Sequence, residues 1–303
     1  MPRSLNAIGA SLFIGGACAR MFDHTLLPIQ ELSIVNEVIQ TLLNRKSIRA
    51  YEERPIAAEV KRELLTATLR APTAGNMMLY SIIEVSDQSL KDTLAESCDH
   101  QPFIAEAPLV WLFLADYQRW MDYFDVSDVD KVCGSRGVPR RRPEEGDVFL
   151  ACCDALIAAQ TAVIAAESLG LGSCYIGDIL EKYEVHREMF DLPDYVFPIA
   201  LICFGYPTEK QKARVKTTRF DPRFVMFENC YQRLSAADFT TMYHDQQTRW
   251  LSQGTRPDGI ENFGQALYFR KFAADYSLEM SRSVRAMLKA WQGTGLAGDL
   301  SAA

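Results

Sequence analysis

The stretch from Val148 to Leu169 is apolar on nearly every side, interrupted by Asp154, Gln160 and Glu167. An amphipathic helix can lie on a core and show its other side to water, whereas a helix apolar all round has to be enclosed. The length approaches that of a membrane span, but the polar interruptions and the flanking acids oppose insertion. The helix is therefore expected in a protein core or in a large subunit interface. Gly170 and Gly172 end it, as glycines end helices.

The rest of the chain has to supply the cover. Ile34, Val35, Val38, Ile39, Leu42 and Leu43 have helical spacing and predict a first helix from Ile34 to Asn44. Ile48 to Pro55 reads as extended and turn-like. A second helix, Ala57 to Arg70, carries Val60, Leu64, Leu65 and Leu69 on one face and stops before Pro72, because proline disfavours helix at the residue preceding it. Tyr80 to Val85 reads as a strand, and Asp87 as the N-cap of a helix through Cys98. The continuous apolar run Pro108 to Ala115 reads as a buried strand. Ile179 to Phe190 is a further helix. Val196 to Gly205 is a core strand, with Pro198 near its start or at a sheet edge. Phe239 to Leu251 and Phe263 to Trp291 read as helices. Helices and strands interleave, which predicts an α+β (α/β layered) domain.

Residues 1–29 read as a disordered N-terminal extension, with a weak likeness to a signal peptide between Ala7 and Ala19. Residues 30–225 form the main domain. Within it, 116–146 is a long connection expected to be a mobile flap near a pocket, with Tyr117, Trp120, Tyr123 and Phe124 at its base. Residues 226–303 are a helical extension ending in a frayed tail from Gly293 to Ala303.

The formal charge is −7, and a general nucleic-acid binder should be basic. An acidic chain that concentrates cations at a few points suits a small anion instead. The eight cysteines form no C-x-x-C pair or zinc spacing, and the four histidines are scattered, so no metal site is expected. The cysteines read as small hydrophobes, Cys152 and Cys153 inside the apolar helix and Cys203 inside a strand, in a reducing, cytoplasmic compartment.

Arg45-Lys46-Ser47-Ile48-Arg49 puts three cations and a hydroxyl into five residues. Guanidinium forks, an ammonium and a hydroxyl make a receptor for phosphate. The same cluster also suits a helix C-terminus, where cations are favourable and stay solvated. Three later stretches bear on that choice: Ala71-Pro72-Thr73-Ala74-Gly75-Asn76, then Leu169 to Gly177, then Phe204-Gly205-Tyr206-Pro207-Thr208-Glu209 with Lys212, Arg214 and Lys216 behind it. In that order, over residues 30 to 220, the chain resembles the FMN-dependent nitroreductase family.

The resemblance implies a nitroreductase-like fold, with a central, mostly antiparallel sheet flanked by helices and FMN at a homodimer interface. Arg45 and Ser47 match the positions that hold the FMN phosphate, with Lys46 beside them or on the ribityl chain. Arg49 matches the basic position beside the pyrimidine edge, where a cation offsets charge gained on reduction. Pro72, Thr73, Ala74 and Asn76 match the loop that reaches the ring, usually from the partner subunit. Gly172 to Asp178 match the segment approaching N5 and O4, with Ile176 and Gly177 beside the ring and Gly177 leaving room for a stacked substrate. Arg214, ahead of Lys216, matches the further phosphate cations. The family commonly continues its ring loop with Gln-Pro-Trp, where this chain has Met78-Leu79-Tyr80, so the pocket wall is expected to be more apolar.

No Ser-His-Asp set or carboxylate pair stands out, and no side chain is expected to be catalytic in its own right, because the flavin carries the chemistry. The resemblance implies ping-pong hydride transfer from NADH or NADPH through FMN to a nitroaromatic, quinone or similar acceptor, in a homodimer that binds neither nucleic acid nor membrane. Two alternatives stay open. One is a flavoenzyme of the same superfamily acting on enones, haloaromatics or flavin; the other is a non-catalytic flavin-binding sensor module.

Overall fold

The computed structural model of the chain describes residues 36–254 and 257–292. The expectations for residues 1–29, for Ile34 and Val35 and for the tail from Gly293 to Ala303 lie outside the described residues. The elements follow in chain order: α1 (Glu37–Asn44), α2 (Ala58–Thr68), β1 (Tyr80–Glu84), α3 (Gln88–Ser97), α4 (Phe103–Glu106), β2 (Leu109–Asp116), α5 (Gln118–Val126), α6 (Val129–Arg136), α7 (Glu145–Ser168), β3 (Gly172–Ile176), α8 (Tyr183–Met189), β4 (Val196–Gly205) and α9 (Glu209–Ala213). Beyond these come α10 (Ala236–Met242), α11 (His244–Leu251), α12 (Phe263–Leu267) and α13 (Asp275–Trp291). By packing, residues 218–263 form one unit, and residues 36–217 with 264–292 form the other.

The larger unit is built on one sheet in the order β1-β2-β4-β3, antiparallel at every neighbour. Every residue of β2 is buried, as its unbroken apolar run requires. Its side chains alternate between two layers. Leu109, Trp111 and Phe113 face a core made with Leu64 of α2 and the alanines of α7. Val110, Leu112 and Leu114 face a second core made with Leu94 of α3 and Ile104 of α4. Pro198 lies where β4 pairs only with β2, at a bulge opposite Phe113 and Leu114, so its missing N–H disrupts no ladder.

The 24-residue α7 starts at a capping box between Glu144 and Asp147. Ala151, Ala155, Ala158, Ala159, Ala162 and Ala166 are fully buried, and their small size lets the helix lie close on the sheet. Enclosure is incomplete within one chain: Phe149 is 71% exposed and Leu156 46%.

Four segments differ from the sequence expectation. The helix expected from Phe239 to Leu251 is divided at Tyr243 into α10 and α11. The helix expected from Ile179 to Phe190 breaks at Lys182, which is left-handed at φ 49°. The N–H groups of Lys182 and Tyr183 are capped by Glu279 Oε1 and Ser283 Oγ of α13, each at 3.0 Å, so they are lost to a continuous helix. The expected long helix from Phe263 to Trp291 is divided by a π turn, Tyr268–Phe272. Within 116–146 the chain forms α5 and α6, followed by a strap braced by Arg140 on Asp125 and Asp130 and by Arg141 on Asp147. A cavity of about 390 Å³ lies there, lined by Tyr117, Met121, Phe124 and Arg140 among others. Of the cysteines, Cys98, Cys174 and Cys203 are buried as expected, whereas Cys153 is exposed on α7.

The last helix closes the larger unit. Trp291 is 1% exposed and meets Tyr195 and Phe197 edge-on at ring separations of 5.6 and 5.4 Å. Trp291→Ala is expected to lower stability by about 3–5 kcal/mol, the range for removing a large buried aromatic side chain. A shift of the urea midpoint at unchanged slope measures it; an unchanged midpoint would mean that α13 does not support this core.

Candidate functional site

The basic segment after α1 is bound to the sheet by backbone. Ile48 N–H donates to Ser173 O at 2.8 Å, and Ser47 bridges Ser173. The approach is so close that a Cβ on Gly172 would sit 2.4 Å from Ile48 Cγ1. Only glycine fits there, which accounts for Gly172 without a role in ending the helix.

A second basic segment, after α9, is latched onto the first. Lys46 Nζ donates to the Lys212 carbonyl and, at 2.7 Å, to that of Arg214. Arg214 donates to Ser47 O at 2.5 Å, and Lys216 to Leu43 O at 2.9 Å. Carbonyl acceptors are neutral, so the cations keep their full charge. Among the described residues, Arg45, Lys46, Arg49, Arg214 and Lys216 form no ion pair with a carboxylate. Lys212, by contrast, pairs with Glu209 at 2.7 Å and with Glu52 at 3.4 Å. A cavity of about 560 Å³ opens between the segments, lined by Asn44, Lys46, Gly172, Arg214 and Lys216 among others. Uncompensated cations around a cavity make a candidate anion site.

Glu167 also lines this cavity. Its Oε1 is buried without a partner, and burial pushes its carboxyl up to about 7, with Arg45 and Lys46 pulling it back.

The loop at 72–79 is organised by a residue that sequence reasoning treated only as an interruption. Asp154 of α7, 2% exposed, accepts the Thr73 hydroxyl and the Ala74 and Leu79 N–H groups, the latter two at 3.0 Å. The available signal was a lone acid in an apolar helix, since a buried carboxylate needs donors. Leu79 and Tyr80 are 1% and 3% exposed, so they line core rather than pocket, contrary to the expected apolar wall. Pro72 and Asn76 are exposed.

Of the residues expected to hold the cofactor, Lys46, Arg214 and Lys216 line the cavity; Arg45 and Ser47 flank Lys46 on the same segment without lining it, and Arg49 is exposed beyond them. Ile176 is buried at the far end of β3, and Gly177 is exposed, with open space where a Cβ would project. The loop carrying Thr73, Ala74 and Asn76 does not join the cation cluster within the chain. It is tied at Asp154, whereas the cavity lies at Glu167, and the helical rise separates those positions by about 20 Å.

Comparison with known proteins gives the chain's relatives. Residues 42–206 match the nitroreductase family. The chain is 29% identical over 251 residues to a Bacillus subtilis FMN reductase (NAD(P)H), covering 81% of this chain and 96% of that protein. Among solved structures, the B. megaterium protein NfrA2 superposes with a TM-score of 0.70 at 27% identity, covering 85% of this chain and 98% of the other. The NADPH:FMN oxidoreductase of Vibrio harveyi, complexed with NAD+, gives a TM-score of 0.67 at 25% identity, covering 84% and 98%.

The raised Glu167 pKa has a signed consequence. Between about 4.5 and 7 the folded chain holds a proton that the unfolded chain has released, so this group's contribution to stability falls as pH rises through that window. Glu167→Gln removes the effect. The variant is expected to gain stability relative to the parent between pH 5 and pH 8, read as the difference in urea midpoints. A difference that stays flat with pH would show that Glu167 ionises normally.

Proposed function

The chain belongs to the nitroreductase family, and on that premise we propose that it is an FMN-dependent oxidoreductase driven by NADH or NADPH. The observation that carries this reading is the set of uncompensated cations around the anion cavity, on the segments that the family resemblance assigns to the FMN phosphate. The residues present fit the group. The phosphate would be held by Arg45, Ser47, Arg214 and Lys216, with Lys46 bracing the two segments. Bound FMN would supply two-electron chemistry, accepting hydride from a nicotinamide and delivering it to an acceptor such as a nitroaromatic or a quinone.

The chain's own residues handle placement and charge. Arg49 is exposed and unpaired among the described residues, and it would offset negative charge at the pyrimidine edge. Asn76 would offer a donor and an acceptor to the ring's amide-like edge. Open space at Gly177 would let a nicotinamide and then the acceptor occupy one position in turn, as a ping-pong cycle requires.

The reading includes a homodimer. Val38, Ile39 and Leu42 of α1, which has no buried residue, and Phe149, Leu150, Leu156 and Ile157 of the core helix α7 are exposed apolar residues. The distance along α7 between ring loop and cavity supports a site completed by a second subunit. Free cysteines throughout the described residues support a cytoplasmic setting, and the packing of α7 on the sheet supports a protein outside the membrane. Residues 116–146 are proposed to act as a flap over the acceptor, hinged at the Tyr117 end.

An anaerobic absorbance spectrum before and after adding NADH, then NADPH, tests the reaction class. A flavin spectrum that bleaches with either is the expected result, and it identifies the preferred donor. A flavin that neither bleaches would favour a sensor, and a protein that takes up no FMN would refute the reading.

Arg45→Ala removes a charge-assisted contact and is expected to weaken FMN binding about tenfold or more, from the 1.5–3 kcal/mol typical of such bonds. Fluorescence titration of the flavin measures it, and an unchanged dissociation constant would remove Arg45 from the site.

A further inference from the structure

Between Val148 and Ala166 of α7, Asp154 is the only charged residue. Its two carboxylate oxygens take three donors, all from one loop. Oδ2 accepts the Thr73 hydroxyl and the Leu79 N–H at 3.0 Å, and Oδ1 accepts the Ala74 N–H at 3.0 Å. Thr73 Oγ1 in turn accepts the Met78 N–H at 2.8 Å. A buried charge that served packing alone would be replaced at lower cost by an apolar side chain, because its desolvation opposes folding.

What the carboxylate holds is a strained segment. Gly75, Asn76 and Met78 are all left-handed, at φ 55°, 57° and 50°. Two of the three carry side chains, and such conformations persist only where neighbouring groups over-determine them. The opposite edge of the loop is held separately: Trp120 Nε1 of α5 donates to Met77 O at 2.9 Å, and Arg119 donates to Met78 O and, at 3.1 Å, to Tyr80 O. The loop is thus clamped by its amides to α7 and by its carbonyls to α5, with Asn76 exposed at the apex.

We propose that Asp154 is a positioning residue, which holds loop 73–79 in the one conformation that presents Asn76 to the flavin ring in the partner subunit's site. The inference rests on the flavin reading above. Asp154 touches neither flavin nor substrate and acts through Thr73, Ala74 and Leu79. Asparagine in its place keeps the shape but turns an amide donor toward donors, so one side of the clamp opens.

The test compares the parent with Asp154→Asn, Thr73→Val and Thr73→Ser in three measurements. These are amide hydrogen exchange across 73–79, the FMN dissociation constant, and the inhibition constant of inorganic phosphate against FMN binding. Asp154→Asn and Thr73→Val are expected to speed exchange across the loop at least tenfold and to weaken FMN binding at least tenfold. Phosphate inhibition, which reads the cation cavity alone, should stay within about twofold, the spread expected for a site that makes no contact with the loop. Thr73→Ser restores the hydroxyl and should behave as the parent.

Faster exchange with unchanged FMN affinity would overturn the proposal, because the loop would then not meet the flavin. Unchanged exchange would overturn it by showing that Asp154 does not hold the loop. A parent protein that binds no FMN would refute the flavin reading itself, a result separable from either. If Asp154→Asn fails to fold, Thr73→Val, which removes one donor and leaves the carboxylate two, carries the same comparison.

Discussion

Covering the apolar surface of α7 is the constraint around which the rest of the structure is arranged. The sheet covers one side of the helix through Trp111, Phe113, Ile202 and Phe204, and α2 brings Leu64 to the same layer. Its N-terminal turns are covered by Ala286, Met287, Ala290 and Trp291 of α13 together with Tyr183 and Phe197. Each contact withdraws apolar surface at about 25 cal/mol per Å². Phe149, Leu150, Leu156 and Ile157 remain uncovered in the single chain, and they share the helix that carries Asp154. Burial in the core and the proposed association with a second subunit would meet one requirement.

Two of the polar interruptions of that helix, Asp154 and Glu167, lie at the parts of the candidate site. Asp154 holds the strained loop 73–79, and Glu167 stands in the wall of the cation cavity. A buried polar group in an apolar helix is costly; Asp154 has three donors to offset it, whereas Glu167 has only the nearby charges of Arg45 and Lys46. The two acids lie about 20 Å apart along the axis, which keeps the loop and the cavity at separate ends of the chain's own surface. In the proposed homodimer the loop and the cavity could meet across a two-fold axis, each protomer supplying both.

The cation cluster shows how charge is stored without being cancelled. Lys46, Arg214 and Lys216 spend hydrogen bonds on main-chain carbonyls, which fixes two segments far apart in sequence while leaving the positive field intact. Lys212, a few residues away, is neutralised by Glu209 and Glu52 and contributes little to that field. Lys212 and Lys216, which both line the cavity, thus differ in their acceptors: carboxylates for the first, a main-chain carbonyl and an amide oxygen for the second. Composition does not distinguish them.

The sequence by itself determined the strands at 80–84, 109–116 and 196–205, the capped helix after Asp87, the enclosed helix and the basic cluster. These follow from local rules: alternation or continuity of apolar residues, a capping side chain, glycine and proline at ends. Only the tertiary structure decided that the segment 178–190 breaks at Lys182, because its N–H groups are taken by Glu279 and Ser283, about a hundred residues away in the chain. It also decided that Leu79 and Tyr80 turn into the core, that Asp154 gathers the loop 73–79, and that Lys46, Arg214 and Lys216 line one cavity. Each of these depends on which distant donor or acceptor arrives at a given atom. Local periodicity carries no record of that, whereas burial without a partner would be too costly for the fold to leave it to chance.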